Sequence, residues 1–134
     1  MKKILITGDL KYHNKGEIKD FIFELKNRYD KEIKVATLAN NYGVDTLVKK
    51  YALEFDVIYG EFNAYHTHHR MYDIMPVRMF NKKYHKINFV YRDSHAVNWA
   101  DIIILFLIKE PDDNFKRIIR AAKKKNKIIK IIKE

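Results

Sequence analysis

The sequence predicts a single doubly wound α/β domain of about five parallel strands flanked by helices, interrupted by one long insertion at residues 63–91. Two observations predict this class. Short apolar runs rich in β-branched residues alternate with segments whose apolar residues recur every three or four positions. The chain has 134 residues, 47% of them hydrophobic, which suffices for one core and not for two ordinary domains.

The first half of the chain shows this alternation clearly. Lys2–Thr7 (KKILIT) is a short apolar run, which is typical of a buried strand. In Lys15–Tyr29 the apolar residues are spaced by three and four positions, which indicates an amphipathic helix. Lys31–Leu38 is the predicted second strand, and Asp56–Phe62 is the third, with a second helix between them that ends near Glu54. Strands joined through helices are connected by right-handed crossovers and therefore lie parallel.

The same rhythm returns after the insertion. A helix is predicted around Asp93–Trp99, and it leads into Asp101–Ile108 (DIIILFLI). Because strands buried on both faces are almost continuously apolar, this run is the best candidate for the central strand. A last helix is predicted from about Phe115 to Lys125, followed by a last strand at Lys127–Ile132 (KIIKII).

The net charge of +10 and the pI near 9.6 are compatible with nucleic-acid binding, but they support it only weakly. The lysines are spread along the whole chain and form one dense run, Lys123–Lys127. A charge block of this kind is typical of a solvated helix end.

Composition also bears on the environment in which the protein works. The absence of cysteine excludes disulfide frameworks and thiolate zinc sites. The apolar run at the start of the chain is shorter than that of a signal peptide, and none approaches the roughly 18 to 20 residues of a membrane span. We therefore expect a cytoplasmic protein that does not contact a membrane.

Three segments carry a family resemblance. ITGDL (6–10) closes the first strand, GVDTLVKKYA (43–52) opens the second helix, and Arg92-Asp93 stands eight residues before Ala100-Asp101 and the apolar strand. In this order and spacing they resemble the SLOG superfamily of Rossmann-like proteins, especially its small YspA-like branch. The family's motifs are ITGSR, GADxLAxxWA and an Arg-Asn pair that opens a helix ending in Ala-Asp. The resemblance implies a five-stranded parallel sheet that binds a nucleotide or nucleotide-derived ligand at the carboxyl ends of its strands.

The chain departs from the family where phosphates are usually held. Many SLOG proteins carry PGGxGT after the central strand, whereas this chain has IKEPDDNFK, which brings in the carboxylates of Glu110, Asp112 and Asp113. We expect Asp112, Asp113 or Asn114 to cap the next helix instead. The acid that LOG-type phosphoribohydrolases keep after this loop is missing, so their glycosidic cleavage is not predicted. No catalytic residue and no cofactor are assigned.

The loops after the first two predicted strands are altered as well. Gly8 is retained, but Asp9 and Leu10 stand where the family has Ser and Arg. Asn40 and Asn41 replace the glycines before the second motif, and we expect the turn to be retained because asparagine tolerates the left-handed conformation.

The predicted ligand site lies at the ends of the first, second and fourth strands. Arg92 is expected either to bind a ligand phosphate or to be a surface residue that pairs with Asp93 or Asp45. Asp45 is expected to act more as a structural acid in the first turn of its helix than as a ligand contact. The site residues are Gly8, Asp9, Asn40, Asn41, Gly43, Asp45, Arg92 and Asp93.

The insertion is rich in histidine, aromatic residues and methionine. His66 and His68 form an HxH pair with Asp73 nearby, but no further group completes a ligand set by spacing, and no metal site is predicted. The aromatic and methionine side chains predict an adhesive surface that either covers the ligand edge of the sheet or contacts a partner chain. These residues are Tyr65, Tyr72, Met75, Met79, Phe80, Tyr84 and Phe89.

Three functions therefore stay open. The leading hypothesis is a SLOG-like protein that binds a nucleotide-derived small molecule, such as an ADP-ribose-like ligand, without an assigned catalytic role. The alternative is a ligand-free interaction protein, for example a phage virion or host-takeover component in the host cytoplasm, that forms a homo-oligomer or binds a protein partner through residues 63–91. Single-stranded nucleic-acid binding, as in the DprA relatives of SLOG, is the third and predicts a steep salt dependence.

Overall fold

The computed structural model describes residues 1–64, 71–74 and 87–134, which form five strands and four α-helices. The strands are β1 (Lys2–Gly8), β2 (Ile33–Thr37), β3 (Ile58–Glu61), β4 (Ile102–Leu107) and β5 (Ile128–Lys133). The helices are α1 (Lys15–Tyr29), α2 (Val44–Glu54), α3 (Ile87–Trp99) and α4 (Asp113–Lys124). A short 3₁₀ helix, Asp30–Glu32, links α1 to β2.

All five strands are parallel, in the order β3-β2-β1-β4-β5, which confirms the predicted Rossmann-like α/β class. The central strand is β1, so the prediction that DIIILFLI is central was wrong. That run forms β4, which lies between β1 and β5 and is buried along almost its whole length. A continuously apolar sequence indicates that a strand is buried on both faces, as β1 and β4 both are. It does not indicate the position of the strand in the sheet.

The helices cover both faces of the sheet. Ile18 of α1 belongs to the same buried cluster as Ile6 of β1. Leu5 points to the opposite face, where it shares a second cluster with Val97 of α3 and Ile118 of α4. Successive residues of one strand thus serve two separate cores, as the alternation of side chains in a strand requires. None of the described helices is both long and apolar enough to cross a membrane.

Most element ends fall within one or two residues of their predicted positions, and α1 matches its prediction at both ends. The side-chain oxygen of Asn14 accepts a hydrogen bond from the Glu17 N–H at 3.2 Å, and the Asn14 amide donates to the Glu17 carboxylate at 3.3 Å. This reciprocal cap fixes the start of the helix. Strand β2 begins two residues later than predicted because Asp30–Glu32 is a 3₁₀ turn.

Helix α3 begins at Ile87, six residues before the predicted start near Asp93, and so takes in the end of the predicted insertion. Arg92 and Asp93 consequently lie in the middle of the helix and do not open it. The buried face of α3 includes Asn88, Arg92 and Asp93. A search for apolar residues at helical spacing does not detect a buried face made of polar residues.

A short piece of the insertion lies against the outer edge of the sheet. The Glu61 N–H donates to the Tyr72 carbonyl at 2.8 Å, and the Ile74 N–H donates to the Glu61 carbonyl at 2.9 Å. Residues 71–74 therefore pair with the edge strand β3 through a parallel bridge. The HxH pair, His66 and His68, for which no metal site was predicted, and most of the predicted adhesive surface lie outside the described residues.

Candidate functional site

A cleft of about 700 Å³ opens at the carboxyl edge of the sheet. Strands β1 and β4 are neighbours there, but the helices that follow them, α1 and α4, pack on opposite faces. Loops that leave two adjacent strands in opposite directions create the crevice in which α/β proteins usually bind ligands. The volume is within the range of small-molecule sites.

This cleft brings together five of the eight residues that the sequence predicts for a ligand site: Gly8, Asp9, Asn40, Arg92 and Asp93. Asn41 and Asp45 instead line a second cleft of about 340 Å³ near the ends of β2 and β3, to which Asn40 also contributes. Gly43 lines neither cleft. It packs against the backbone of Asp9 and Leu10.

The carboxylate of Asp9 is used inside the protein. Its Oδ2 atom accepts a hydrogen bond from the Ile108 N–H, directly after β4, at 2.7 Å. The backbone N–H of Asp9 donates to the Phe106 carbonyl at 3.0 Å, so the loop after β1 is tied to β4 twice. The Ile108 amide at the cleft is thereby satisfied by the chain itself.

Two glycines allow the close approach of backbone segments beside the cleft. A Cβ atom on Gly8 would lie 2.0 Å from the Phe106 carbonyl oxygen, and one on Gly43 would lie 2.2 Å from the Asp9 carbonyl oxygen. Gly43 also has a φ of +73°, which other residues rarely adopt. Both positions therefore require glycine.

In the loop between β2 and α2, the asparagines are not the residues that adopt the left-handed conformation. The left-handed residues are Ala39, with a φ of 58°, and Gly43, whereas neither Asn40 nor Asn41 has a positive φ. Asn40 is used instead for its polar groups. Its N–H donates to Asp45 at 3.0 Å, and its side-chain oxygen accepts a long hydrogen bond of 3.5 Å from Arg92. The expectation that the asparagines adopt the left-handed turn was wrong.

Asp45 joins three segments from inside the protein. It is 2% exposed, and its two oxygens accept hydrogen bonds from the Thr7 hydroxyl at 2.7 Å and from the Asn40 N–H at 3.0 Å. Burial raises the pKa of Asp45 to about 6, against the opposing effects of these two hydrogen bonds and of the Arg92 charge. Asp45 therefore connects the end of β1, the loop after β2 and the first turn of α2.

Arg92 and Arg117 share one carboxylate, that of Asp93, at the junction of α3 and α4. The Nε atom of Arg92 donates to Asp93 Oδ1 at 3.0 Å, and a terminal nitrogen of Arg117 contacts Asp93 Oδ2 at 2.7 Å. Arg92 also donates to the Leu38 carbonyl at 3.2 Å and lies over the Phe89 ring, 5.1 Å from its centre. Of the expected partners of Arg92, Asp93 forms the ion pair, and Arg92 is buried at 8% exposure and not a surface residue.

The start of α4 is capped by an acid, as expected from the sequence. The carboxylate of Asp112 accepts a hydrogen bond from the Phe115 N–H at 3.0 Å, and Asp113 lies in the first turn. Acidic groups at this end favour the helix dipole. The backbone amide at the helix start is thus satisfied by the chain itself.

The smaller cleft is lined by a continuous polar chain. The hydroxyls of Thr37 and Tyr59 lie 2.8 Å apart, and Tyr59 donates to Glu61 at 3.0 Å. Glu61 is 7% exposed, and Lys49 approaches it at 3.5 Å. Burial raises the pKa of Tyr59, so the phenol keeps the proton that it donates to Glu61. These groups satisfy one another and form an ordered wall.

Several lining residues of the large cleft were not among the predicted site residues. Phe115 and Arg117 lie in the first turns of α4, and Lys11 and Lys109 lie in the loops after β1 and β4. One signal for Arg117 was present in the sequence. A cation in the early turns of a helix opposes the helix dipole, so it indicates a nearby negative partner.

Among the described residues, no group of three or more acidic or histidine side chains is arranged to hold a metal ion. Comparison with protein-family models, with curated proteins and with solved structures finds no match for this chain. The fold and the site themselves define the class, an α/β domain with a parallel sheet and a cleft at its switch point.

Proposed function

We infer that this chain is a SLOG-like protein that binds a nucleotide-derived small molecule in the large cleft and acts as a binding protein. The observation that carries the proposal is the position of the cleft. It lies at the carboxyl ends of β1 and β4, the switch point of the sheet. It contains Gly8 and Asp9 of the first motif and Arg92 and Asp93 of the third, whereas no residue of the second motif lines it. Ligands of open α/β sheets bind at this point.

The character of the walls supports the same proposal. Half-buried Phe89 and Phe115 offer ring surfaces, and Leu10 and Ile108 add aliphatic surface. Polar and charged side chains line the rest of the cleft, and Arg117 donates to Asp93 at 2.7 Å among them. Small-molecule sites combine apolar and aromatic surface with polar groups that fix the orientation of the ligand.

The test is to fill the cleft without disturbing the core. Leu10 lines the cleft and is 55% exposed, so Leu10→Trp places a large ring in it at little risk to folding. Leu53→Trp on α2, at a residue that is 42% exposed and lines neither cleft, is the matched control. Binding of AMP, ADP-ribose, NAD and cyclic nucleotides is measured by calorimetry and thermal shift.

We expect at least one of these ligands to bind the wild type and Leu53→Trp equally and to bind Leu10→Trp much more weakly. Equal binding to all three proteins would show that the ligand binds outside the large cleft. No binding at millimolar concentration would refute the proposed function.

A second function, a ligand-free interaction protein, is favoured by a different observation. The carboxylates of Asp9 and Asp112 already satisfy backbone amides at the edge of the cleft. Large side chains are exposed on loops at this edge, with Tyr42 72% and Leu10 55% exposed. Light scattering after size exclusion tests this function, because a monomer at high concentration would contradict a homo-oligomer, and Tyr42→Ser would be expected to weaken the assembly.

A further inference from the structure

The large cleft contains two backbone amides at positions typical of phosphate binding, and the chain's own carboxylates occupy both. The Ile108 N–H donates to Asp9 at 2.7 Å, and the Phe115 N–H donates to Asp112 at 3.0 Å. A phosphate at either amide would face a negative charge a few ångströms away, and like charges at that distance repel each other. A pyrophosphate at these two amides would therefore be repelled by the carboxylates that occupy them.

The positive charge of the cleft is arranged differently. Asp93 lies between Arg92 and Arg117, so these three groups together carry one net positive charge. The Arg92 side chain is 10% exposed and is engaged by Asp93 and the Leu38 carbonyl. The Arg117 side chain is 34% exposed and is the more accessible of the two.

Arg117 has unused capacity to bind an anion. Its Nε atom is buried and has no acceptor among the described residues. Its contact with the Asn114 side-chain oxygen is long, at 3.4 Å. A guanidinium carries five N–H donors, and the contacts with Asp93 and Asn114 use only some of them, so Arg117 keeps donors for an anion in the cleft.

Aromatic side chains accompany this arginine. Phe115 of α4 and Phe89 of α3 line the same cleft as Arg117. A flat ring can pack against such surfaces while its anionic substituent binds the guanidinium.

We propose that Arg117 is the anion-binding residue of the cleft. Its ligand carries one compact anionic group, a phosphate monoester or a carboxylate, on an aromatic ring. Ligands joined through a pyrophosphate are disfavoured by Asp9 and Asp112. That the ring belongs to a nucleotide rests on the proposed function, whereas the role of Arg117 does not.

Calorimetry with AMP, ADP, NAD and phenyl phosphate tests the proposal. Arg117→Gln is compared with Arg120→Gln, which removes the same charge from an exposed position of α4 outside the cleft. We expect Arg117→Gln to weaken AMP and phenyl phosphate binding at least about tenfold, because a charge-assisted contact is lost. Arg120→Gln is expected to leave binding unchanged. Arg117→Lys keeps the charge and is expected to be intermediate.

A variant that is expected to bind a ligand more tightly gives a second test, because misfolding would not increase its affinity. Asp9→Asn keeps an oxygen that can accept from the Ile108 N–H and removes the negative charge. We expect this variant to bind ADP about fivefold more tightly relative to AMP than the wild type does, the effect of removing one like charge in a solvated cleft.

The outcomes separate the two proposals. Equal AMP affinity in Arg117→Gln and Arg120→Gln, with both variants folded by thermal unfolding, would overturn the role of Arg117. If the wild type binds ADP or NAD more tightly than AMP, the claim that the cleft disfavours ligands joined through a pyrophosphate is refuted. Binding of phenyl phosphate that depends on Arg117, with no nucleotide bound, would support Arg117 and refute the proposed function. No binding of any probe at millimolar concentration would refute both.

Discussion

Asp45 is expected to lower the free energy of unfolding as pH rises, whereas a buried acid with an ion-pair partner usually raises it. Replacing Asp45 with asparagine is expected to remove this pH dependence. Asp45 is 2% exposed and accepts two hydrogen bonds, but burial outweighs them and raises its pKa to about 6. The folded protein therefore holds this proton more tightly than the unfolded chain does.

The sign and the size follow from the two pKa values. Between the ordinary value of 3.8 and the folded value of about 6, the folded state binds more protons than the unfolded state, so the free energy of unfolding falls as pH rises through this window. The stabilisation from protonated Asp45 is complete below pH 3.8 and is lost above pH 6. At 1.36 kcal/mol per pH unit, the difference of about 2.2 corresponds to about 3 kcal/mol.

Asparagine has the same shape as aspartate and can replace both of its hydrogen bonds. Its oxygen can accept from the Asn40 N–H, and its amide can donate to the Thr7 hydroxyl, which is able to accept as well as donate. Relative to the wild type, Asp45→Asn is therefore expected to gain about 3 kcal/mol in unfolding free energy between pH 3.5 and pH 7.5.

The assay is urea unfolding of the wild type and Asp45→Asn at a series of pH values, analysed as the difference between the two proteins so that other titrating groups cancel. Asp113→Asn, at an exposed acid of α4, is the control and should show no such change. The reasoning is refuted if the wild type gains stability relative to Asp45→Asn as pH rises from 4 to 6.5. That result would mean that the ionised carboxylate stabilises the loop.

Three further variants test other parts of the structure. Gly43→Ala should lower the unfolding free energy by about 1–3 kcal/mol because of its left-handed φ and its backbone contact. Gly16→Ala in α1, where an added Cβ would only be in ordinary van der Waals contact at 3.8 Å from Asn14, should be neutral or stabilising by up to about 1 kcal/mol. Asp93→Asn should lower it by about 3 kcal/mol because two arginines lose their shared carboxylate, while Asp113→Asn should change it by less than about 0.5 kcal/mol. Ile103→Ala, in the fully buried part of β4, should lower it by about 2–5 kcal/mol through the cavity that it leaves. Thermal and urea unfolding measure all of these changes, and an unaffected midpoint in Gly43→Ala, Asp93→Asn or Ile103→Ala would contradict the corresponding contact.

The regular elements of this fold are readable from the sequence because their signals are local. The apolar spacing predicts α1 at both ends, and the continuous apolar run predicts β4. Helix α3 is the exception. Its inner face is partly polar, since Arg92 and Asp93 are buried through their pairing with each other and with Arg117. Such pairing depends on a second helix and leaves no periodic signal in the first.

The candidate site was likewise predictable in part from the sequence. Its position at the strand ends was predictable, because every parallel strand ends at the same edge and the loop residues there are seen in the sequence. The roles of its residues were not. Asp9 was expected to line a ligand site, and in the structure its carboxylate binds the Ile108 amide, 99 positions further along the chain.

By itself, the sequence determined the number and type of the elements, the parallel sheet and the edge at which the loops gather. Only the tertiary structure decided that β1 is the central strand, that α4 brings Arg117 to Asp93, and that the chain's own acids occupy the amides of the cleft. The physical reason is the distance along the chain over which each kind of interaction acts. Helix and strand preferences act between residues a few positions apart, whereas the charge and hydrogen-bond partners of a site are chosen by whichever distant loops the packed core brings together.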